Sequence, residues 1–150
     1  MGNSLKNKLG LIPKSFFGGW WYLLCFNIII FVLVQLNLIN NWVEFPEWVL
    51  DKDPILFLVI VVLLQELIFR GLIISWLEHF GKQKALLIST IIFGLSHLVF
   101  PDAELITLLS LIGGYFWGWH FLKFRNLYLL IISHLLVNLG FNYIVFNLLQ

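Results

Sequence analysis

The chain has little charge and a single cysteine, and each shortage limits what kind of protein it can be. Charged residues make up 11% of the 150 positions, whereas a soluble domain carries roughly 25%. An ordinary soluble globular domain is therefore excluded. The lone Cys25 excludes an intrachain disulfide and a thiolate metal cluster. The net charge of +1 comes without any basic stripe, so we expect no nucleic acid partner.

The chain is rich in hydrophobic residues, which make up 61% of its positions, and in aromatic residues, which make up 17%. A span needs about 20 mostly apolar residues to cross a bilayer. Five stretches qualify, at about 20–38, 54–77, 84–100, 104–122 and 127–149. They lack the alternation of barrel strands. We predict an all-α, polytopic membrane helical bundle of about five transmembrane helices, forming one domain over residues 1–150.

The distribution of basic residues predicts the orientation of this bundle. They lie before the first stretch, after the second and after the fourth: Lys6, Lys8, Lys14, Lys82, Lys84, Lys123 and Arg125. The two remaining loops are acidic and carry only Lys52. Positive loops stay on the cytoplasmic side, so we expect the N-terminus inside and the C-terminus outside. The first stretch is longer than a signal-peptide core and no small-residue cleavage site follows it, which favours a retained helix.

Polar residues inside the apolar stretches need a reason, because a charge at mid-bilayer costs about 2.5–3.5 kcal/mol on insertion scales. Glu66 and Arg70 are four residues apart in the second stretch, so they share a helix face and can form an ion pair. His134 and Asn138 share a face of the fifth in the same way, and His97 lies near the outer end of the third. Taken singly, each pair could equally serve helix packing.

Together these residues bring metal-binding or proton-moving groups from three helices. Two imidazoles and a carboxylate, from His97, His134 and Glu66, could hold a divalent metal such as zinc with an open position. They could equally position and deprotonate a water. No His-Glu-x-x-His sequence occurs, so a zincin arrangement is excluded.

Other polar and small residues favour structural roles. We expect His79 and His120 to be interfacial, and Ser133 is one of several isolated serines without a nucleophile-elbow context. Gly114 and Gly118 form a small-xxx-small pair, which predicts close approach of another helix. Two more glycines lie near the polar positions of their helices, where close approach would help three helices share one site: Gly71 and Gly94.

Three of these sequences, in this order, resemble the motifs of the CPBP family, which comprises CAAX prenyl endopeptidases, bacteriocin-processing enzymes and Abi-type intramembrane proteases. Residues 65–71 are similar to its Glu-Glu-x-x-x-Arg motif. Residues 93–97 are similar to Phe-x-x-x-His, and residues 134–138 to His-x-x-x-Asn. The resemblance defines a catalytic core at 54–142, preceded by a leading helix and outer loop at 16–50.

The resemblance implies an intramembrane endopeptidase, multi-pass in a cytoplasmic membrane. Its substrate would be a membrane-anchored protein or hydrophobic peptide, and its setting the lipid bilayer. By analogy Glu66 and His97 would activate a water, and Arg70 would orient Glu66. His134 and Asn138 would stabilise the oxyanion, or His134 would complete a metal site.

One position departs from the family pattern. Gln65 stands where the motif has its first glutamate, and an amide does not take up a proton near neutral pH. Three readings stay open: Glu66 serves as the base, the chain is a non-catalytic relative such as a bacteriocin self-immunity or binding protein, or Gln65 is an engineered Glu→Gln change. A small proton or ion carrier built on the buried Glu–Arg pair and the histidines is a further function class.

Overall fold

The computed structural model describes residues 2–13, 15, 17–35, 54–99 and 104–148, with side chains at residues 5–33, 55–99 and 104–139 of those ranges. Every regular element in these ranges is helical, which confirms the all-α prediction. The outer loop predicted before Pro54 lies outside the described residues, as does the connection between the third and fourth stretches.

Six helices make up the described chain. They are α1 (Gly2–Lys8), α2 (Trp20–Gln35), α3 (Pro54–Phe80), α4 (Lys82–Leu95), α5 (Glu104–Phe124) and α6 (Leu127–Leu148). Pro54 opens α3, where its fixed φ suits a first helical turn. Gly81, at φ +121°, separates α3 from α4. Two residues separate α5 from α6, fewer than the four between the predicted stretches, and Arg125 takes a positive φ of 52° there.

Helix α3 changes its winding along its length. It is α-helical over Pro54–Glu66, π-helical over Leu67–Ile74 and α-helical again over Ser75–Leu77, and it ends in a 3₁₀ turn at Glu78–Phe80. π-helical segments are rare and are frequently found at functional sites. This one begins directly after Glu66.

Two helical segments are long and apolar enough to cross a membrane, Ile55–Phe80 with 26 residues and Glu104–Phe124 with 21. Trp20–Leu33 and Leu127–Leu139 are shorter apolar helices. Helix α4 has 14 residues before a 3₁₀ turn at Ser96–Val99, so it is about 21 Å long. The five-span count and the orientation remain predictions.

Glycines bring α4 and α5 close together, as the small-xxx-small spacing predicted. A Cβ on Gly114 would lie 2.8 Å from Phe93 Cδ1, and one on Gly118 would lie 2.6 Å from Leu86 Cδ1. A Cβ on Gly94 of α4 would lie 2.4 Å from the Cδ2 atom of a leucine in α5. Real Cβ atoms do not approach other atoms this closely, so a larger residue at any of these positions would force the neighbouring phenylalanine or leucine side chain to shift.

Residues 8–13, named here the N-terminal strap, pack across the end of the bundle where α3 finishes and α6 begins. The Lys8 carbonyl accepts hydrogen bonds from Ser75 Oγ at 2.6 Å and from Arg125 Nη1 at 3.1 Å. The Gly10 carbonyl accepts from the Leu127 amide at 3.2 Å. No spacing in the sequence predicted this strap.

Candidate active site

The predicted ion pair between Glu66 and Arg70 forms in α3. Glu66 is the last residue of the α-helical part and Arg70 lies in the π-helical part. Arg70 Nη1 lies 3.2 Å from Glu66 Oε1, with both side chains at most 1% exposed. Two opposite charges are thus held inside the bundle, where they can be kept only by partners that replace water.

His134 of α6 completes a three-residue cluster with this pair. Its Nδ1 lies 2.8 Å from Glu66 Oε1, and its side chain is 4% exposed. When Glu66 is ionised it can only accept, so Nδ1 carries the proton and donates. The other ring nitrogen, Nε2, then keeps a lone pair and can take a proton. Glu66 Oε1 therefore serves both Arg70 and His134.

Several buried polar atoms of this cluster have no hydrogen-bond partner among the described residues. They are Glu66 Oε2 and all three guanidinium nitrogens of Arg70, whose contact with Glu66 is an ion pair without hydrogen-bond alignment. Buried polar groups are nearly always hydrogen-bonded in native proteins. One acceptor and several donors left open side by side are typical of a site that binds a polar reactant.

Two aromatic rings enclose the cluster. The Arg70 guanidinium carbon lies 4.1 Å from the centroid of the Phe93 ring and 5.6 Å from that of Trp117. The His134 ring stacks on Trp117 with centroids 4.2 Å apart and planes 27° apart. Cation–π contact stabilises a desolvated guanidinium by about 2 kcal/mol, which offsets part of the cost of burying Arg70.

His97 contacts Phe93, and Phe93 in turn contacts the cluster. Its Nδ1 donates to the Phe93 carbonyl at 2.9 Å, because a carbonyl oxygen only accepts. Its ring meets the Phe93 ring edge-on with centroids 5.0 Å apart, and Phe93 meets His134 at 5.8 Å. His97 is half-buried, and its Nε2 keeps the lone pair that proton transfer requires.

The remaining two predicted residues lie beside the cluster. Gln65 precedes Glu66 on α3 and is half-buried, while Glu66 is fully buried. Asn138 lies one turn after His134 on α6 and is also half-buried. The contacts above join Glu66, Arg70 and His134 directly and His97 through an aromatic ring. The roles of Gln65 and Asn138 stay predictions.

The predicted metal ligands are Glu66, His97 and His134. Within the part of the chain that the structure describes, no group of three or more His, Cys, Asp and Glu side chains is placed to hold a metal ion. Of the predicted set, Glu66 and His134 are in direct contact and His97 is bonded to the Phe93 carbonyl instead. A metal held by Glu66, His97 and His134 stays a prediction, and we propose no step through it.

Sequence reasoning missed a group of residues that support His134. Trp117 Nε1 donates to Ser133 Oγ at 3.0 Å, and Asn27 Nδ2 of α2 donates to the same oxygen at 2.8 Å. Its sequence context indicates no site role for Ser133, although this serine adjoins His134. Asn27 is a polar residue in the middle of a largely apolar helix, and that position is the signal that the sequence offers.

His120 differs from its predicted interfacial setting. Its side chain is fully buried, and its Nε2 donates to the Gly19 carbonyl at 3.2 Å. The start of α2 covers this histidine, and the sequence pattern could not predict that contact. His79 is exposed, and its Nδ1 contacts the Trp76 carbonyl.

Comparison with known proteins returned one family. The family model for type II CAAX prenyl endopeptidase Rce1-like proteins matches residues 52–140, which is more than half of the chain. All six predicted site residues lie inside that match: Gln65, Glu66, Arg70, His97, His134 and Asn138. No curated protein and no solved structure gives a significant match.

Proposed function

The chain belongs to the type II CAAX prenyl endopeptidase Rce1-like family, and we propose from that premise that it is an intramembrane endopeptidase. The membership confirms the resemblance to the CPBP family and supports a protease of a membrane-protein family. The observation that carries the proposal is the buried cluster of Glu66, Arg70 and His134 within the matched residues. Its substrate is a membrane-anchored protein or hydrophobic peptide, and its location is the cytoplasmic membrane.

In this proposal a water is activated by the carboxylate and the imidazoles. The resemblance assigns that step to Glu66 and His97. The contact between His134 Nδ1 and Glu66 supports a part for His134 as well, because an ionised carboxylate orients the ring and stabilises the imidazolium. His134 Nε2 takes a proton from water while the oxygen attacks the peptide carbonyl carbon. As the C–N bond breaks, the same proton passes to the leaving nitrogen.

The developing oxyanion needs donors that are already in place. The open guanidinium nitrogens of Arg70 support a place for it in this step. Asn138, one turn from His134, is the second candidate donor. Arg70 also lies 3.2 Å from Glu66 Oε1, where it can orient that carboxylate.

A second candidate function is a non-catalytic membrane protein, such as a bacteriocin self-immunity or binding protein. Gln65 favours it, because this amide stands at the first glutamate of the family motif. The proposal of an active enzyme requires Glu66 to serve in place of that missing carboxylate.

The test is a mass-spectrometric cleavage assay with purified protein in detergent and a library of membrane-anchored peptides. The variants are the chain as given, Gln65→Glu and Glu66→Ala, with Glu104→Ala as the matched control because Glu104 is exposed at the start of α5. We expect cleavage by the given chain, its loss in Glu66→Ala and its retention in Glu104→Ala. Parallel reactions with EDTA, and with zinc added back, test the predicted metal.

The other outcomes separate the alternatives. Cleavage by Gln65→Glu alone would mean that Glu66 does not suffice and that the given chain is an inactivated enzyme. No cleavage by either form would contradict the protease proposal. Protection of cells against a bacteriocin, surviving Glu66→Ala and His97→Ala, would then establish the binding function.

A further inference from the structure

We propose that Ser133 is a positioning residue for His134, and that Asn27 makes helix α2 part of the same functional unit. The inference rests on the proposed function and deepens it. It adds two residues, one of which lies outside the matched residues 52–140. Neither residue belongs to the three motifs.

The argument begins with the hydrogen bonds at Ser133 Oγ. This oxygen accepts from Trp117 Nε1 at 3.0 Å and from Asn27 Nδ2 at 2.8 Å. An indole N–H and an amide NH₂ can only donate, so the two bonds occupy both lone pairs of the hydroxyl. The second amide proton of Asn27 goes to the Leu23 carbonyl at 2.7 Å, which sets the orientation of the amide. Ser133 is 2% exposed.

The next step runs from Ser133 to the imidazole. Trp117 is 3% exposed and carries the His134 ring on its face, with centroids 4.2 Å apart. The same indole faces the Arg70 guanidinium at 5.6 Å. Because the bond to Ser133 fixes the indole nitrogen, it fixes the plane on which His134 rests. That plane in turn sets the direction of His134 Nε2.

The position of Asn27 supports the same conclusion. It lies in the apolar helix Trp20–Gln35, where a polar side chain is costly unless it is paired. Its partner is a residue 106 positions away that adjoins the imidazole in sequence. Helix α2 therefore contributes to the site, because its Asn27 bonds the serine that also bonds Trp117, and the His134 ring stacks on Trp117.

The experiment compares Ser133→Ala, Ser133→Thr and Asn27→Leu, with Ser110→Ala of α5 as the matched control. Kinetics are measured in whichever background cleaves, the given chain or Gln65→Glu. Misplacement by about 1 Å can cost 10²-fold in rate. We expect Ser133→Ala to lower kcat at least tenfold with KM unchanged, and Ser133→Thr to restore it. Ser133→Ala combined with Asn27→Leu should cost little more than Ser133→Ala alone, because both act through one oxygen.

A second readout does not need activity. Side-chain NMR of ¹⁵N-labelled histidine, assigned with His134→Gln, reports the ring nitrogens of His134. We expect Ser133→Ala and Asn27→Leu to move the His134 signals and to leave those of the exposed His79 in place. A protein that cleaves nothing would contradict the proposed function, and the NMR result would still decide the positioning of His134.

Two results would overturn the inference. One is unchanged His134 signals in Ser133→Ala. The other is a lowered thermal stability with kcat intact, which would show that Ser133 and Asn27 serve helix packing alone.

Discussion

At the scale of single residues, the buried pair of Glu66 and Arg70 bears on both the stability of the fold and the proposed chemistry. Both side chains are buried, and their contact at 3.2 Å lacks hydrogen-bond alignment. Burying two ions costs several kcal/mol each, which only good geometry and further partners offset. His134 and the rings of Phe93 and Trp117 supply those partners. The cluster is therefore sensitive to the loss of any one charge.

Removing one charge should be worse than removing both. We expect Arg70→Met to destabilise the protein by about 3–5 kcal/mol, because it leaves Glu66 buried without its cation. The double variant Glu66→Gln with Arg70→Met should recover most of that loss. Thermal unfolding in detergent measures both, with Lys82→Met as a control at an exposed cation. A double variant no more stable than Arg70→Met would contradict the charge argument.

At the scale of helices, the close contact of α4 and α5 positions Phe93. The ring of Phe93 touches Arg70, His97 and His134, and its backbone carbonyl bonds His97. Gly114 of α5 provides the space for this ring. The glycine is thus linked to the geometry of the buried cluster through one aromatic side chain.

Substitution of Gly114 tests this link. Glycine to alanine inside a helix gains about 1 kcal/mol in helix propensity, whereas overpacking a core costs about 1–3 kcal/mol. A Cβ at 2.8 Å from Phe93 makes the second effect larger. We expect Gly114→Ala to lower the unfolding temperature and to reduce cleavage, while Ile112→Leu, on an exposed position of the same helix, changes neither. A higher unfolding temperature for Gly114→Ala would contradict this prediction, because it would show that the Phe93 ring can shift without a net loss of stability.

The π-helical part of α3 places Arg70 and exposes backbone groups that need partners elsewhere. Ser89 of α4 donates to the Phe69 carbonyl at 2.7 Å within this part. The strap lies against the same stretch, because a Cβ on Gly71 would be 3.6 Å from the Leu9 carbonyl. The winding of α3 is therefore supported by both α4 and the strap.

The strap depends on the conformation of Gly10. Its φ is +74°, and a Cβ there would lie 2.6 Å from Phe121 Cε2 and 3.2 Å from the Arg125 carbonyl. Left-handed backbone costs an ordinary residue about 1–2 kcal/mol. We expect Gly10→Ala to release the strap, seen as faster trypsin cleavage after Lys8 at an unchanged global unfolding temperature. The exposed Ile12→Ala is the control, and equal cleavage rates would mean that the strap tolerates the change.

At the scale of the whole molecule, large apolar side chains cover the outside of the bundle. Exposed ones occur on α2, α3, α4, α5 and α6, among them Ile29, Trp76, Ile91, Leu108 and Ile132. Apolar surface of this extent on a monomer marks contact with membrane or protein. Together with the family membership, it supports a protein surrounded by lipid.

The orientation can be measured directly. With five crossings the termini lie on opposite sides, so we expect a C-terminal alkaline phosphatase fusion to be active and a C-terminal GFP fusion to be dark. In a Cys25→Ser background, Glu104→Cys should react with a membrane-impermeant thiol reagent in intact cells, and Lys82→Cys only after lysis. Labelling of both cysteines in intact cells would contradict the alternation and point to a different number of crossings.

The chain's composition and local spacings determined the helical class, the extents of most helices and the pairing of Glu66 with Arg70. These features depend on neighbours along one helix, where a rise of 1.5 Å and a period of 3.6 residues fix the geometry. The three motifs were likewise readable in order, and the family match confirmed the resemblance they carried.

Contacts between helices were decided by the tertiary structure alone. That Glu66 bonds His134, that Phe93 stands between His97 and the cluster, and that Asn27 supports Ser133 all depend on helix rotation and separation. The glycines between α4 and α5 set the separation, and the π-helical turn after Glu66 rotates everything that follows it in α3. A local period cannot predict these relations, because they arise only when side chains from different helices fill the same space.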